Sequence, residues 1–346
     1  MSGISKKCKV KITDIARELS LSPATVSNVL SGRRQGQSEA GRRVREYVKE
    51  IGYQPTNSHS RRRSIRLVIY KKHGRVIADT PFFSDLIAAI EHACRQDGYA
   101  LNLIYLDMLR NPVETRTFLQ KLKQENDYPT LLLATEMGLD DMQPFLSMDS
   151  PLVVVDSMFS QLPLNVVVMD NLEAGRLATE CLIQNGHRHI GLITSSFAFQ
   201  NMIERETSWR ETLTQAGLEA REEDIFRVEP AVEGAAADML KQLRAHRAPL
   251  PTAFFAANDF LAIGAFRALT MESYRVPEDI SLIGMDDMPY CQIMQPPLST
   301  IRVPKTEIGR QAVLQLTNMM KEETKTFARI RLSVSLVERG SVMNRT

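Results

Sequence analysis

The chain has 346 residues, enough for two domains, with 43 % apolar, 24 % charged and 6 % aromatic side chains. That composition buries a full core and excludes intrinsic disorder and collagen, and no run approaches the ~18 to 20 apolar residues of a spanning helix. The net charge of +2 hides an asymmetry: residues 1–66 hold 15 Lys and Arg against 5 Asp and Glu, while the remaining 28 basic side chains face 36 acidic ones. A cationic head on an anionic body reads as a nucleic-acid-binding module joined to something with another task.

In the head, Ile12, Ile15, Ala16 and Leu19 recur at helical spacing and give way to Ser20-Leu21-Ser22-Pro23. Ser22 is suited to cap a second helix, because its side-chain oxygen can accept from a free helix N–H, and Pro23 at the first helical position forfeits no hydrogen bond. Along that helix Val26, Val29 and Leu30 share one face, leaving Pro23, Ala24, Ser27, Asn28 and Ser31 turned outward. Two helices joined by a tight turn, the second with a short-side-chain outer face, make a helix-turn-helix whose second helix enters the major groove. A third helix is predicted from about Glu39, with Val44, Tyr47, Val48 and Ile51 on its inner face and Gly52 closing it. Arg33 and Arg34, between the second and third helices, are candidates for phosphate contact.

Ile12-Thr13-Asp14-Ile15-Ala16, Ser22, Thr25-Val26-Ser27, Leu30-Ser31-Gly32 and Ile51-Gly52-Tyr53-x-Pro55 resemble the headpiece of the LacI/GalR (lactose repressor) family. The resemblance implies that Pro23, Ala24 and Asn28 face base edges, Asn28 pairing with adenine and Ala24 meeting a thymine methyl. Thr13, Ser22, Thr25, Ser27, Arg33, Arg34, Tyr53 and Asn57 complete the implied DNA surface. Members of that family continue through a hinge whose leucine wedges into the minor groove. Here the stretch is short and reads Asn57-Ser58-His59-Ser60-Arg61-Arg62-Arg63, so Arg62 or Arg63 replaces the wedge, and Arg61, Arg62 and Arg63 are expected on phosphate or in a narrow minor groove.

From Ile65 onward β-branched runs alternate with amphipathic helical stretches, the signature of parallel βαβ units. Predicted strands are 65–70, 100–106, 131–134, 152–155, 166–169, 190–194, 253–256 and 280–283, with a helix through Ile87, Ile90, Ala93 and Cys94 after the first. Parallel sheets place binding groups at the carboxyl ends of strands, where the chain has Asp156, Asp170-Asn171, Ser195-Ser196, Asn258-Asp259 and Asp286-Asp287. Each of these could equally cap the next helix. His187 and His189 have H-x-H spacing but fall in a predicted surface turn, and no metal is expected there. Trp209 is expected to pack a helix, and Met319-Met320 to lie in a core or dimer interface. Cys8, Cys94, Cys181 and Cys291 lie far apart without a C-x-x-C pair, as reduced thiols do.

Arg205-x-x-x-Trp209, Ala257-Asn258-Asp259-x-x-Ala262-x-Gly264, Val276-Pro277-x-Asp279-Ile280, Asp286-Asp287 and Pro297-Leu298-Ser299-Thr300-Ile301 extend the LacI/GalR resemblance over the body. It implies an α/β fold: a three-helix helix-turn-helix headpiece at 1–56, a short atypical hinge at 57–64, and a periplasmic-binding-protein-like core of two Rossmann-like subdomains at 65–346. The first subdomain is expected at about 65–167 and 303–329 and the second at about 168–302 and 330–346, the chain crossing near Val167, Arg302 and Ile330. The resemblance implies an effector cleft between them with Arg205, Asn258 and Asp286 as polar contacts, Phe82 and Phe83 as aromatic faces, Asp156 opposite and Asp170 nearby. Glu229 stands where an aromatic platform is usual, so Phe199 is the alternative stacking face. This set suits a sugar or sugar derivative.

The chain shows no Walker loop, G-x-S-x-G elbow, H-E-x-x-H or dinucleotide fingerprint, so the expectation is a regulator without catalysis or cofactor. It would bind a palindromic DNA operator as a homodimer under control of a small molecule. The start of the chain, Met1 to Lys9, lacks the apolar stretch of a secretory signal, and cytoplasmic residence with no membrane partner is expected. The competing reading is a DNA-binding regulator whose core takes a protein partner or no effector.

Overall fold

The computed structural model describes residues 12–30, 39–51, 64–76, 80–122, 128–321 and 326–345. The chain divides into two compact units between Ser64 and Ile65.

In the first unit, α1 (Ile12–Glu18), α2 (Pro23–Leu30) and α3 (Glu39–Glu50) enclose a small core. Ile15, Ala16, Leu19, Val26 and Val44 are buried in it, with Tyr47, Val48 and Ile51 packed around them. The helical spacing read from the sequence therefore does converge on one centre. Helix α1 ends in a left-handed turn at Ser20 (φ 53°), where Ser20 N–H donates to Arg17 O and Leu21 N–H to Ala16 O. This closure usually falls to glycine. Ser22 Oγ then accepts from Thr25 N–H at 3.0 Å, capping α2 as its sequence position required.

The second unit runs β1 (Ser64–Lys71), α4 (Pro81–Gln96), β2 (Ala100–Asp107), α5 (Pro112–Leu122), β3 (Thr130–Leu133), α6 (Gln143–Leu146), β4 (Leu152–Val155) and β5 (Asn165–Met169). It continues through α7 (Asn171–Gln184), β6 (Ile190–Ser195), α8 (Gln200–Gln215), β7 (Ile225–Val228), α9 (Val232–Ala245), β8 (Ala253–Ala256), α10 (Asp259–Met271) and β9 (Ser281–Asp286). The last elements are α11 (Tyr290–Ile293), β10 (Ser299–Arg302), α12 (Lys305–Lys321), β11 (Arg329–Leu332) and β12 (Ser335–Val337).

The strands form two sheets, ordered β11-β5-β4-β3-β1-β2 and β12-β10-β9-β8-β6-β7. Central strands such as β3, β4 and β8 are buried at every position. Helices on both faces leave a central parallel strand no polar side, which is why these segments read as unbroken apolar runs. Helix α12 returns to the first sheet and packs on α4 so tightly that a Cβ at Gly309 would stand 2.8 Å from Ala89 Cβ.

The crossings between lobes fall a few residues later than the sequence suggested. β5 stays in the first sheet to Met169, and β11 pairs with it in parallel from Arg329↔Val166 to Leu332↔Met169. Only β12, antiparallel to β10, belongs to the second sheet. Residues 168–169 and 330–332 are thus corrected to the first lobe, because β11 covers the otherwise open backbone edge of β5. The chain crosses at 170, at 303–304 and at 333–334. Strand β7 was not legible from the chain's apolar runs, because exposed Arg227 interrupts its pattern.

Ile15 is fully buried in a core of few side chains. Ile15→Ala is expected to cost about 2 to 5 kcal/mol and to unfold the first unit alone. Limited proteolysis should show rapid cleavage before residue 64, with the thermal transition of the second unit unchanged.

Candidate DNA-reading surface and effector cleft

On the first unit, Thr13, Ser22, Pro23 and Ala24 are exposed and Thr25 is half-exposed, while Val26 points into the core. The start of α2 thus offers a small polar outer face. Arg33, Arg34, Tyr53, Asn57, Arg61, Arg62 and Arg63 lie outside the described residues, as do the side chains of Ser27 and Asn28.

In the second unit the carboxyl ends of the two sheets face one another across a cavity of about 40 Å³, space for a few waters. The first lobe supplies Phe82 and Phe83 from the start of α4, Thr135 beyond β3, Asp156 beyond β4 and Met169 at the end of β5. Phe199, Asn201 and Arg205 come from the start of α8, with Asn258 and Asp286 from the ends of β8 and β9. The structure thus brings together Phe82, Phe83, Asp156, Phe199, Arg205, Asn258 and Asp286.

Arg205 is 3 % exposed and fully engaged: Nε donates to Asn171 Oδ1 (2.9 Å), Nη1 to Ala257 O (2.5 Å) and Nη2 meets Met169 Sδ (3.4 Å). Burial works against its charge, and the Asp286 and Asp156 carboxylates offset that. Asp156 accepts from Thr135 Oγ1 at 2.6 Å through Oδ2, and Asn201 and Arg205 also favour its charged form. Burial pushes the Asp156 carboxyl up to about 6. For Asp286 the same cause acts more strongly, opposed by Arg205 and reinforced by Asp259, and lifts the group to about 8. Both residues have positive φ, 66° at Asp156 and 117° at Asp286. Backbone held in such conformations is strained and is found where surrounding structure fixes a functional side chain.

Asn258 has both duties that the sequence allowed. Its Oδ1 caps α10 by accepting from Leu261 N–H (2.8 Å), and the residue lines the cavity. Two expectations are corrected. Asp170 caps α7, accepting from Glu173 N–H at 3.1 Å, and sits 3.7 Å from Arg331 in a separate groove. It is the first residue beyond β5, where the chain changes lobe. Glu229 pairs with Arg75 and lines a wider outer groove of about 960 Å³. Thr135 and Asn201 were missed; Thr135 lies just past a predicted strand and was reachable by the strand-end rule, whereas Asn201 enters only because the turn into α8 folds toward Asp156.

Trp209 is fully buried away from the cavity, as expected of a packing residue. His187 Nδ1 meets Thr252 Oγ1 (2.9 Å) and His189 Nε2 meets Asp224 Oδ2 (2.7 Å), so the two imidazoles serve different partners. Cys94, Cys181 and Cys291 are free and buried. Among the described residues no helix is long and apolar enough to cross a membrane.

The sequence profile of bacterial regulatory proteins of the lacI family matches residues 11–56, and that of the periplasmic binding protein-like domain matches residues 179–342. The ribose operon repressor of Haemophilus influenzae is 30 % identical over 332 residues, covering 95 % of this chain and 97 % of that protein. The chain belongs to the LacI family. The HTH-type transcriptional repressor PurR of Pasteurella multocida is 30 % identical over 342 residues, covering 96 % and 99 %. Among solved structures, a complex of the transcriptional regulator CelR with cellobiose superposes with a TM-score of 0.71 at 26 % identity, covering 96 % and 99 %. The Lac repressor dimer bound to operator and the anti-inducer ONPF shares the fold, with a TM-score of 0.71 at 23 % identity over 97 % and 100 %. This LacI-family protein is a DNA-binding transcriptional regulator: its head is the family's DNA-binding module and its core the small-molecule-binding one.

The cleft acids give the regulator a pH signature. Because Asp156 and Asp286 hold their protons more tightly when folded, the folded state binds more protons than the unfolded one above the ordinary Asp range. Stability therefore falls as pH rises through about 6 and about 8. Asp286→Asn cannot ionise, so its melting temperature is expected to drop less between those values than that of the parent. A scan of melting temperature against pH checks this, and parallel curves refute it.

Proposed function

We propose that this LacI-family protein is a homodimeric repressor whose paired α2 helices read a palindromic operator, and that a sugar or sugar derivative in the interlobe cleft controls that binding. The single observation that carries the effector reading is Arg205, buried at the cavity wall among Asp156, Asp286 and Asn258. Directed donors and acceptors between the Phe82, Phe83 and Phe199 rings suit a polyhydroxylated ring. The ribose operon repressor and the cellobiose complex among its relatives support the same class.

Base reading is assigned to Pro23, Ala24 and Asn28, with Thr13, Ser22, Thr25, Ser27, Arg33, Arg34, Tyr53, Asn57 and Arg61 to Arg63 on backbone or minor groove. One headpiece makes few base contacts, so two must act together on half-sites. Exposed apolar side chains on the core support this pairing. The outer groove is lined by Leu109, Phe260, Ile263, Tyr290, Ile293 and Met294, of which Leu109 and Ile293 are 66 % and 74 % exposed. The exposed apolar side chains Leu109, Tyr290 and Ile293 are what a second copy would cover. The relatives are repressors, and the protein acts by binding alone, in the cytoplasm where its DNA lies.

Selection from a random duplex pool, with and without metabolite extract, tests the reading. A palindromic consensus whose affinity shifts with extract is expected. Arg205→Ala is expected to keep the consensus and lose the shift, and retention of the full shift would remove Arg205 from the effector site. Ile293→Glu places a charge in the apolar groove and should convert dimer to monomer in sedimentation velocity, weakening operator binding by at least about tenfold.

A further inference from the structure

The segment after β1 does more than join it to α4. Glu136, beyond β3 in the same lobe, has a side chain with no solvent exposure. Its carboxylate accepts N–H groups from His73 (3.0 Å), Gly74 (2.9 Å) and Val76 (2.9 Å). Three backbone donors on one buried carboxylate fix the segment's shape on the first lobe, and Gly74 at φ 59° permits the turn. From that anchor the segment reaches the second lobe twice. The His73 ring stacks on Phe197 (centroids 4.7 Å, 29° between planes) and lies 5.1 Å from Phe199. Arg75 pairs with Glu229.

The second lobe is shaped to receive it. A Cβ at residue 234 would collide with the Glu229 side chain, so Gly234 leaves the room in which that carboxylate turns toward Arg75. Glu229 N–H is held in turn by Asp238 Oδ2 at 3.0 Å. The segment also stands between two spaces. Val76 lines the inner cavity of about 40 Å³, whereas His73, Gly74 and Arg75 line the outer groove of about 960 Å³.

We propose that residues 72–76 are a strap clasping the two lobes over the effector cleft, and that effector enters when His73 leaves Phe197 and Phe199 and Arg75 leaves Glu229. The cavity of about 40 Å³ is too small for a sugar ring, so occupancy needs its walls to part, and Val76 ties the strap to one of them. The chemistry of the clasp makes it releasable: one aromatic stack and one partly exposed ion pair, each a weak contact, on a strap whose root in Glu136 is strong. The strap stays folded on its own lobe while its grip on the other opens, which lets a ligand set the angle between lobes without unfolding the loop.

This proposal rests on reading the cavity as the effector site, but its test uses no effector, so the two can fail separately. Hydrogen exchange of the full-length protein, read by mass spectrometry, follows the peptide around 197–203. The first N–H groups of α8 have no intrahelical acceptor, and Asn201 and Met202 are buried at the cavity wall, so their protection depends on closure. In the His73→Ala, Arg75→Ala double variant and separately in Glu229→Gln, this peptide is expected to exchange at least about threefold faster. A peptide within α7 should keep its parental rate. Unchanged exchange at 197–203 in both variants overturns the strap. If α7 also loosens in the double variant, that variant is misfolded and Glu229→Gln alone decides, faster exchange supporting the clasp and parental exchange overturning it.

Discussion

The cleft is organised around one buried guanidinium. Arg205 sits on a helix of the second lobe, yet its hydrogen bonds reach Met169 at the end of the first lobe's β5 and Asn171 at the start of α7, as well as Ala257 in its own lobe. A planar group with a fixed fork of donors suits such a junction, because it satisfies acceptors in several directions at once. Its charge also makes the neighbouring acids tolerable. Asp156 and Asp286 are held in strained backbone and pushed toward the neutral form by burial, and Arg205 opposes that push at both. The cost of burying these groups is evidence of function, since an apolar filling of the same space would be no less stable.

Two sets of contacts on either side of that centre tie the lobes. Where the chain crosses, Arg331 on β11 pairs with Glu204 of α8 at 3.0 Å and approaches Asp170. At the outer rim the strap's Arg75 meets Glu229 and His73 meets Phe197. Covalent crossings and buried Arg205 make one side permanent, whereas the rim is held by contacts of low individual worth. Motion about the crossing strands with release at the rim is the consequence of that asymmetry. A regulator needs a bistable element whose two arrangements a ligand can tell apart, and here the strap decides whether the cavity and the outer groove are separate spaces.

The family and the broad architecture were legible because their signals are local. Ser22-Pro23 encodes a helix start by capping chemistry, the spacing of Ile15, Ala16 and Leu19 encodes a buried face, and runs such as Leu152 to Val155 encode strands covered on both sides. Asp156, Asn258 and Asp286 were legible as cavity-lining residues because a parallel sheet presents the side chains just beyond the carboxyl ends of its strands. Asp170 obeyed the same rule and still left the site, because it falls at a crossing, where the strand end faces Arg331 and the next helix.

The sequence alone determined the identity of the units: a three-helix DNA reader and a two-sheet core, each specified by periodicity and caps within a few residues of one another. Only the tertiary structure decided which distant side chains meet, within a lobe or across the cleft. Glu136 anchoring His73, Gly74 and Val76, Glu229 turning from the cavity to Arg75, and Asn201 joining Asp156 all pair residues about 45 to 155 positions apart. No local pattern records such pairs, because their geometry arises only once the fold brings together loops that are far apart in the chain.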